Sequence, residues 1–258
     1  MKLNLHQALA AVVIGFISAA SADEHLPTTL MTTRGKLMVS EDFDKPLAPV
    51  TGKPVGFASG FTGWRYNDGT PGAGKSIKSG MWKLADGTFK GIENPDAHHP
   101  ATASFGIQYK DVIIQCDVRL DDVPANGRAS RSLFVKATDE KDYVCALNVG
   151  TGGLNALVYD DARINPTTKQ REKFPALRAP LPVKLNEWHT AVLEIKGDEI
   201  VASLDDKSVT LSNPLIAADK HSVMLGASTE ASFRHFRIWE ALPNPDWPKN
   251  KQALTSAK

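Results

Sequence analysis

The sequence predicts an all-β protein, a sandwich of two antiparallel sheets, and three observations lead there. Short runs of alternating apolar and polar residues recur along most of the chain, with turn residues between them. No stretch carries a long helical period of apolar residues. The 19 glycines and 16 prolines punctuate the runs, as they do in sandwiches and barrels with many short strands.

The N-terminal 22 residues stand apart. Lys2 precedes an apolar stretch from Ala8 to Ala20, and Ala20-Ser21-Ala22 fits the small-x-small pattern of a signal-peptide cleavage site. The stretch is shorter than the roughly 20 apolar residues of a membrane helix. The expectation is an exported protein, periplasmic or secreted, cleaved after Ala22, with no membrane span in the mature chain. No cysteine follows the stretch, which speaks against a lipoprotein anchor. Residues 23–36 read as a loose leader.

From Leu37 onward, strand patterns fall at 37–43, 62–66, 81–85, 88–92, 102–107, 109–120, 131–137, 142–149 and 154–159. After a proline-marked loop at 160–186, they resume at 188–196, 199–205, 208–211, 221–227 and 232–240. The clearest is a hairpin about Gly197-Asp198. By parity Trp188, Thr190, Val192, Glu194 and Lys196 share one face, and His189, Ala191, Leu193 and Ile195 the other. One domain is expected over 37–242. The polar, proline-rich tail of residues 243–258 reads as trailing off it.

Charge narrows the partners. The formal net charge is +1, from 30 Lys+Arg against 29 Asp+Glu, and losing Lys2 with the leader removes even that. Such a balance offers no long-range attraction to a phosphate backbone, so no nucleic-acid partner is expected. Gly69 to Ser76 spells G-x-x-x-x-G-K-S, but no buried strand precedes it and Gly80 interrupts any helix after it. No nucleotide is expected there.

The two cysteines, Cys116 and Cys145, sit inside strand patterns and allow two readings. In an oxidising compartment they can pair as a disulfide, or they are buried thiols acting as small hydrophobes.

Catalytic patterns are sparse. There is no G-x-S-x-G elbow, no H-E-x-x-H helix and no Glu-x-Asp-x-x-Glu strand. The acidic pairs Asp121-Asp122, Asp160-Asp161 and Asp205-Asp206 sit at strand ends, where they read as solvated turns or as calcium ligands; nothing else in the chain supports calcium, and no cofactor or other metal is expected. The candidate ligand-facing residues are Arg131 and Tyr143 around one strand pair, and Tyr159, Asp160, Asp161 and Arg163 beside the long loop. His98 in the loop before residue 101 completes the set. An aromatic face can stack on a sugar ring, with Arg, Asn and Asp supplying hydrogen bonds.

The run Glu187-Trp188-His189 through Asp205 resembles the W-H hairpin of concanavalin A-like, laminin G-like jelly rolls. More of the chain is similar to the 3-keto-disaccharide hydrolase domain family of that fold group. The carrying residues are Glu41-Asp42-Phe43, Gly63-Trp64, Trp82 to Gly87, Tyr109 to Leu120 and Arg237-Ile238-Trp239-Glu240. The resemblance implies a jelly roll and a carbohydrate ligand. It breaks where that family carries a Tyr-Glu-x-Gln pattern, because this chain has Tyr143-Val144-Cys145-Ala146. A family carboxylate and amide are therefore replaced by Val144 and Ala146, and no catalytic residue is carried over. Three functions stay open: glycan binding, cleavage of (3-keto) glycosides by a hydrolase or lyase, and a structural or protein-interaction role in the cell envelope.

Overall fold

The computed structural model describes residues 26–48, 50–55, 59–69, 79–124, 131–139, 143–164, 167, 169, 171–173 and 177–256. Side chains at 53–55, 59, 143, 160–164 and 171–173 lie outside the description. So do the whole of the leader to residue 25 and positions 70–78 of the glycine-rich string.

The early strands are β1 (Thr32–Glu41), β2 (Thr51–Val55), β3 (Ser59–Arg65), β4 (Gly80–Ala85) and β5 (Thr88–Glu93). There follow β6 (Ala101–Tyr109), β7 (Val112–Leu120), β8 (Ser132–Thr138) and β9 (Tyr143–Gly150). Next come β10 (Gly153–Ile164), β11 (Arg171–Lys173), β12 (Leu177–Pro180), β13 (His189–Lys196) and β14 (Glu199–Leu204). The last are β15 (Lys207–Ser212), β16 (Lys220–Ser228) and β17 (Glu230–Pro243), before the helix α1 (Trp247–Ser256).

These strands form two antiparallel sheets, the sandwich expected from the alternation. The eight-stranded sheet runs β15-β14-β13-β7-β17-β5-β4, with β1 also on β17. The nine-stranded sheet runs β11-β10-β9-β8-β16-β6-β3-β2, with β12 also on β10. Period-2 alternation turns one face of each inward. Val112, Ile114, Cys116 and Val118 from the first meet Leu133, Val135, Cys145 and Leu147 from the second in one core. Its aromatic wedge centres on Phe89, whose ring lies 4.6 Å from Trp82, 5.0 Å from Phe43 and 5.2 Å from Trp64.

The hairpin has the expected parity and register. Lys196 pairs with Glu199 across Gly197-Asp198, and Gly197 takes φ +57°, which the tight turn requires. His189 faces the core side, level with Val118. Its Nδ1 donates to Asp205 Oδ2 at 2.6 Å, and Thr190 N donates to Asp205 Oδ1 at 2.8 Å. The histidine of the tryptophan–histidine signature thus clamps a hairpin end.

Three parts of the chain differ from expectation. Strand β1 starts at Thr32, inside the stretch read as loose leader. The 160–186 segment holds the end of β10 together with β11 and β12; these strands are short and polar, so alternation does not reveal them. The tail folds back. Asn244 Oδ1 accepts from Asp246 N at 3.0 Å in the turn that leads into α1, and Pro248 stands in the first helical turn where its missing N–H costs nothing. Trp247 Nε1 then donates to Glu199 Oε2 at 2.9 Å, and Lys251 pairs with the same carboxylate.

One close approach shapes the outer face of the nine-stranded sheet. Gly226 of β16 pairs with Phe134 of β8, and a Cβ at Gly226 would stand 1.9 Å from Phe134 Cζ. The ring lies where a side chain would be. Gly226→Ala should therefore cost about 1–3 kcal/mol as the ring is forced aside. Chemical denaturation measures this, and an unchanged midpoint would contradict the contact.

Candidate functional site

The outer faces of the two sheets differ in chemistry. On the nine-stranded sheet, the residues between the core positions of β8 are Phe134 and Lys136, and those of β9 are Ala146 and Asn148. Cross-strand register aligns Thr102, Gly226, Phe134, Asn148, Asn155 and Arg178 in one row across β6, β16, β8, β9, β10 and β12. The next row holds Arg65, Ser104, Met224, Lys136, Ala146 and Leu157.

Lys136 is the centre of this face. Only 9% of it is exposed, and its Nζ sits 3.8 Å from the centre of the Phe134 ring and 5.5 Å from that of Tyr159. An ammonium at such a distance is attracted to the negative face of the ring. Gly226 and Lys136 both lie against the Phe134 ring. Beside them, Asn148 Oδ1 is a buried acceptor without a hydrogen-bond donor. A buried polar atom left unsatisfied costs stability unless something supplies its partner.

The sequence-derived candidates fare unevenly. Tyr159 belongs to this face but is 7% exposed, so it offers no open plane for a sugar. Arg131 is engaged elsewhere: its Nη2 donates to Val123 O and lies 3.3 Å from Asp122 Oδ1, tying down the chain after β7. Its Nε is buried without a partner. His98 is an exposed residue at φ +48°, ending the short turn at Pro95–Ala97. Tyr143 lies on β9, and Asp160, Asp161 and Arg163 on β10, with side chains outside the described residues. Ala146, standing where the resembled family has a polar residue, is fully buried beside Lys136, and Val144 joins the core.

Phe134, Lys136 and Asn148 escaped the sequence reading. Their signals were a lone lysine in Leu-Phe-Val-Lys-Ala and a lone asparagine in Leu-Asn-Val, each at an outward position of an otherwise apolar strand.

The outer face of the eight-stranded sheet is satisfied by its own ions. Asp117 accepts from Thr190 Oγ1 at 2.9 Å, Arg234 Nε at 3.1 Å and His235 Nδ1 at 3.0 Å. Trp188 lies under two guanidiniums, Arg119 at 4.7 Å and Arg234 at 4.3 Å. Two acidic pairs find protein partners rather than converging on one point. Asp121 binds Arg119 and Ser232, Asp122 meets Arg131, Asp205 binds His189, and Asp206 meets Lys207. Among the described residues, no group of three His, Cys, Asp or Glu could hold a metal ion.

The cysteines are free and buried, so the disulfide reading is corrected. Cys116 lies on β7 and Cys145 on β9, in opposite sheets, and facing sheets pack about 10 Å apart, beyond ordinary disulfide reach. Burial pushes the Cys116 thiol well up and that of Cys145 up to about 12, so neither supplies a thiolate at neutral pH.

No family model matches the chain, and no curated protein matches it in sequence. Solved structures do resemble it. A Bacillus licheniformis β-glucanase superposes with TM-score 0.53 and 11% identity, over 80% of this chain and 98% of that one. The fold is a jelly-roll sandwich. A carbohydrate binding module from Bacillus subtilis matches at 0.51 with 12% identity, over 69% and 96% of the two chains. A lichenase derived from a mouse hindgut metagenome matches at 0.52 with 11% identity, over 79% and 99%. Across this jelly roll, no described helix is long and apolar enough to cross a membrane.

The thiol assignment has a direct check. Unreduced protein should show two thiols per chain in denaturant and almost none when native. A denatured, unreduced sample without thiols would contradict it.

Proposed function

We propose that the protein is an exported carbohydrate-binding jelly roll that takes its glycan on the outer face of the nine-stranded sheet, around Phe134, Lys136 and Asn148. The observation that carries this reading is the buried Asn148 Oδ1 without a donor. Asn148 as a whole is only half-buried, so a turn of its side chain brings the oxygen to a sugar hydroxyl that supplies that donor, and the Lys136 ammonium 3.8 Å from the Phe134 ring can donate in return to a hydroxyl oxygen. Recognition then rests on polar groups held by aromatic rings, with Thr102, Ser104 and Asn155 available along the rows.

Binding is favoured over cleavage by a specific feature. Glycoside hydrolysis in its usual form needs two carboxyl groups roughly 5–10 Å apart, and the described side chains in the two rows include no Asp or Glu. The resemblance to 3-keto-disaccharide hydrolases is therefore read as shared architecture. The carbohydrate binding module and the glucanases of the same fold support the ligand class, and the signal-like N-terminus supports export.

A glycan panel followed by calorimetry tests the proposal. The mature chain should bind at least one glycan and release no sugar from 3-keto or plain disaccharides. Asn148→Ala should weaken binding about tenfold, the worth of one hydrogen bond, and Lys136→Ala at least as much. A panel without any binder, or variants binding like the parent, would overturn the reading.

A further inference from the structure

The two ends of the described chain meet on the outer face of the eight-stranded sheet, away from the proposed glycan face. There Leu30, Met31 and Thr32 cross above Glu194 of β13. Leu30 N donates to Oε1 at 2.8 Å; Met31 N, Thr32 N and Thr32 Oγ1 donate to Oε2 at 2.9, 2.7 and 2.7 Å. Glu194 is fully buried by this crossing. From the C-terminal side, Asn244 Nδ2 and Asn250 Nδ2 donate to Leu30 O at 3.0 and 2.9 Å. Arg34 lies 4.9 Å over the Trp239 ring and donates to Gln115 Oε1 at 3.1 Å.

What the crossing covers is separate from the main core. Ile113, Val192, Trp239 and Ala241 form a small cluster of their own. The segment also has a natural hinge. Pairing of β1 with β17 runs through Arg34, breaks, and resumes at Leu37 in a shifted register. Residues before the break can therefore leave while Val39, Ser40 and Glu41 stay paired.

We propose that residues 27–34 form a latch, which opens about the break at 35–36 while the two sheets stay packed, and uncovers Glu194 and the Trp239 cluster to water. The balance of forces at Glu194 makes the latch sensitive to pH. A closed latch strips water from the carboxylate, which raises its pKa; the hydrogen bonds from Leu30, Thr32 and Met31 pull the other way without cancelling that cost. The groups facing it are Arg34 from β1, Gln115 and Ile113 from β7, Trp239 from β17 and Val201 from β14. Of these only Arg34 is charged; Lys196, two residues along on the same face, is paired with Asp111 at 3.0 Å. Lys251 and Glu199 on the helix side are occupied with each other.

The sign follows from linkage. A carboxyl whose pKa is raised in the closed form binds protons more tightly closed than open. The latch is then held best below the ordinary glutamate value, and its hold weakens as pH rises through the raised value.

Native-state hydrogen exchange on the full mature chain reads this directly, because the Leu30, Met31 and Thr32 amides are the donors to Glu194. These amides should exchange through an opening that leaves the amides of β7 and β13 protected. The opening constant, corrected for intrinsic exchange, should rise by up to about tenfold per pH unit from about pH 4.5 and then level off. Glu194→Gln should abolish the rise. Should that variant not fold, the profile of the unaltered chain decides alone. A flat profile, or exchange of the three amides only together with β7 and β13, would overturn the latch.

Discussion

Phe134 lies against the backbone of Gly226, and the arrangement of the outer face of the nine-stranded sheet depends on that contact. With a Cβ at position 226, the ring would meet an atom at 1.9 Å and would have to leave. With none, the ring settles on the sheet, with the Lys136 ammonium 3.8 Å from its centre. The rings of Phe134 and Tyr159 are among the groups that hold the cation in a partly desolvated position. Asn148, directly across from Phe134, keeps an unsatisfied oxygen in the same place.

The same chain treats its charged groups in two different ways. On the eight-stranded sheet, Asp117, Asp121 and Glu194 receive a full set of donors from neighbouring strands or from the chain's N-terminal segment. Lys220, between the sheets, is likewise satisfied, donating to the carbonyls of Lys110, Ile216 and Ala218 at 2.9, 2.6 and 2.8 Å. Burial still lowers its pKa. Such satisfied ions fix strand order and register. Asn148 Oδ1, one of several buried polar atoms without a partner among the described residues, lies on the opposite outer face, where a ligand can contribute what the protein withholds.

The fold was legible where alternation is strong. Ile113 to Leu120 and Thr190 to Lys196 announce central strands, and Gly197-Asp198 announces a two-residue hairpin. It was illegible where pairing carries the strand and composition does not. Strands β11 and β12 are three and four residues long, and α1 has no apolar face of its own, gaining its place from Asn244, Asn250 and Trp247. The proposed site was less legible. Exposed loop residues such as His98 drew notice because their chemistry is familiar. Lys136 and Asn148 matter through their neighbours on other strands, and cross-strand register cannot be read from one strand's sequence. Tyr159 was found, but its burial against Lys136 makes it a support for the cation rather than a stacking platform.

The most direct test of the account is a backbone and side-chain amide shift map of the isotopically labelled mature chain, titrated with its best-binding glycan. The account predicts the largest changes at Phe134, Lys136, Asn148 and Gly226, with the Asn148 side-chain amide among them and β13 unaffected. Shifts confined to the Trp188 and Trp239 side of the molecule would contradict it.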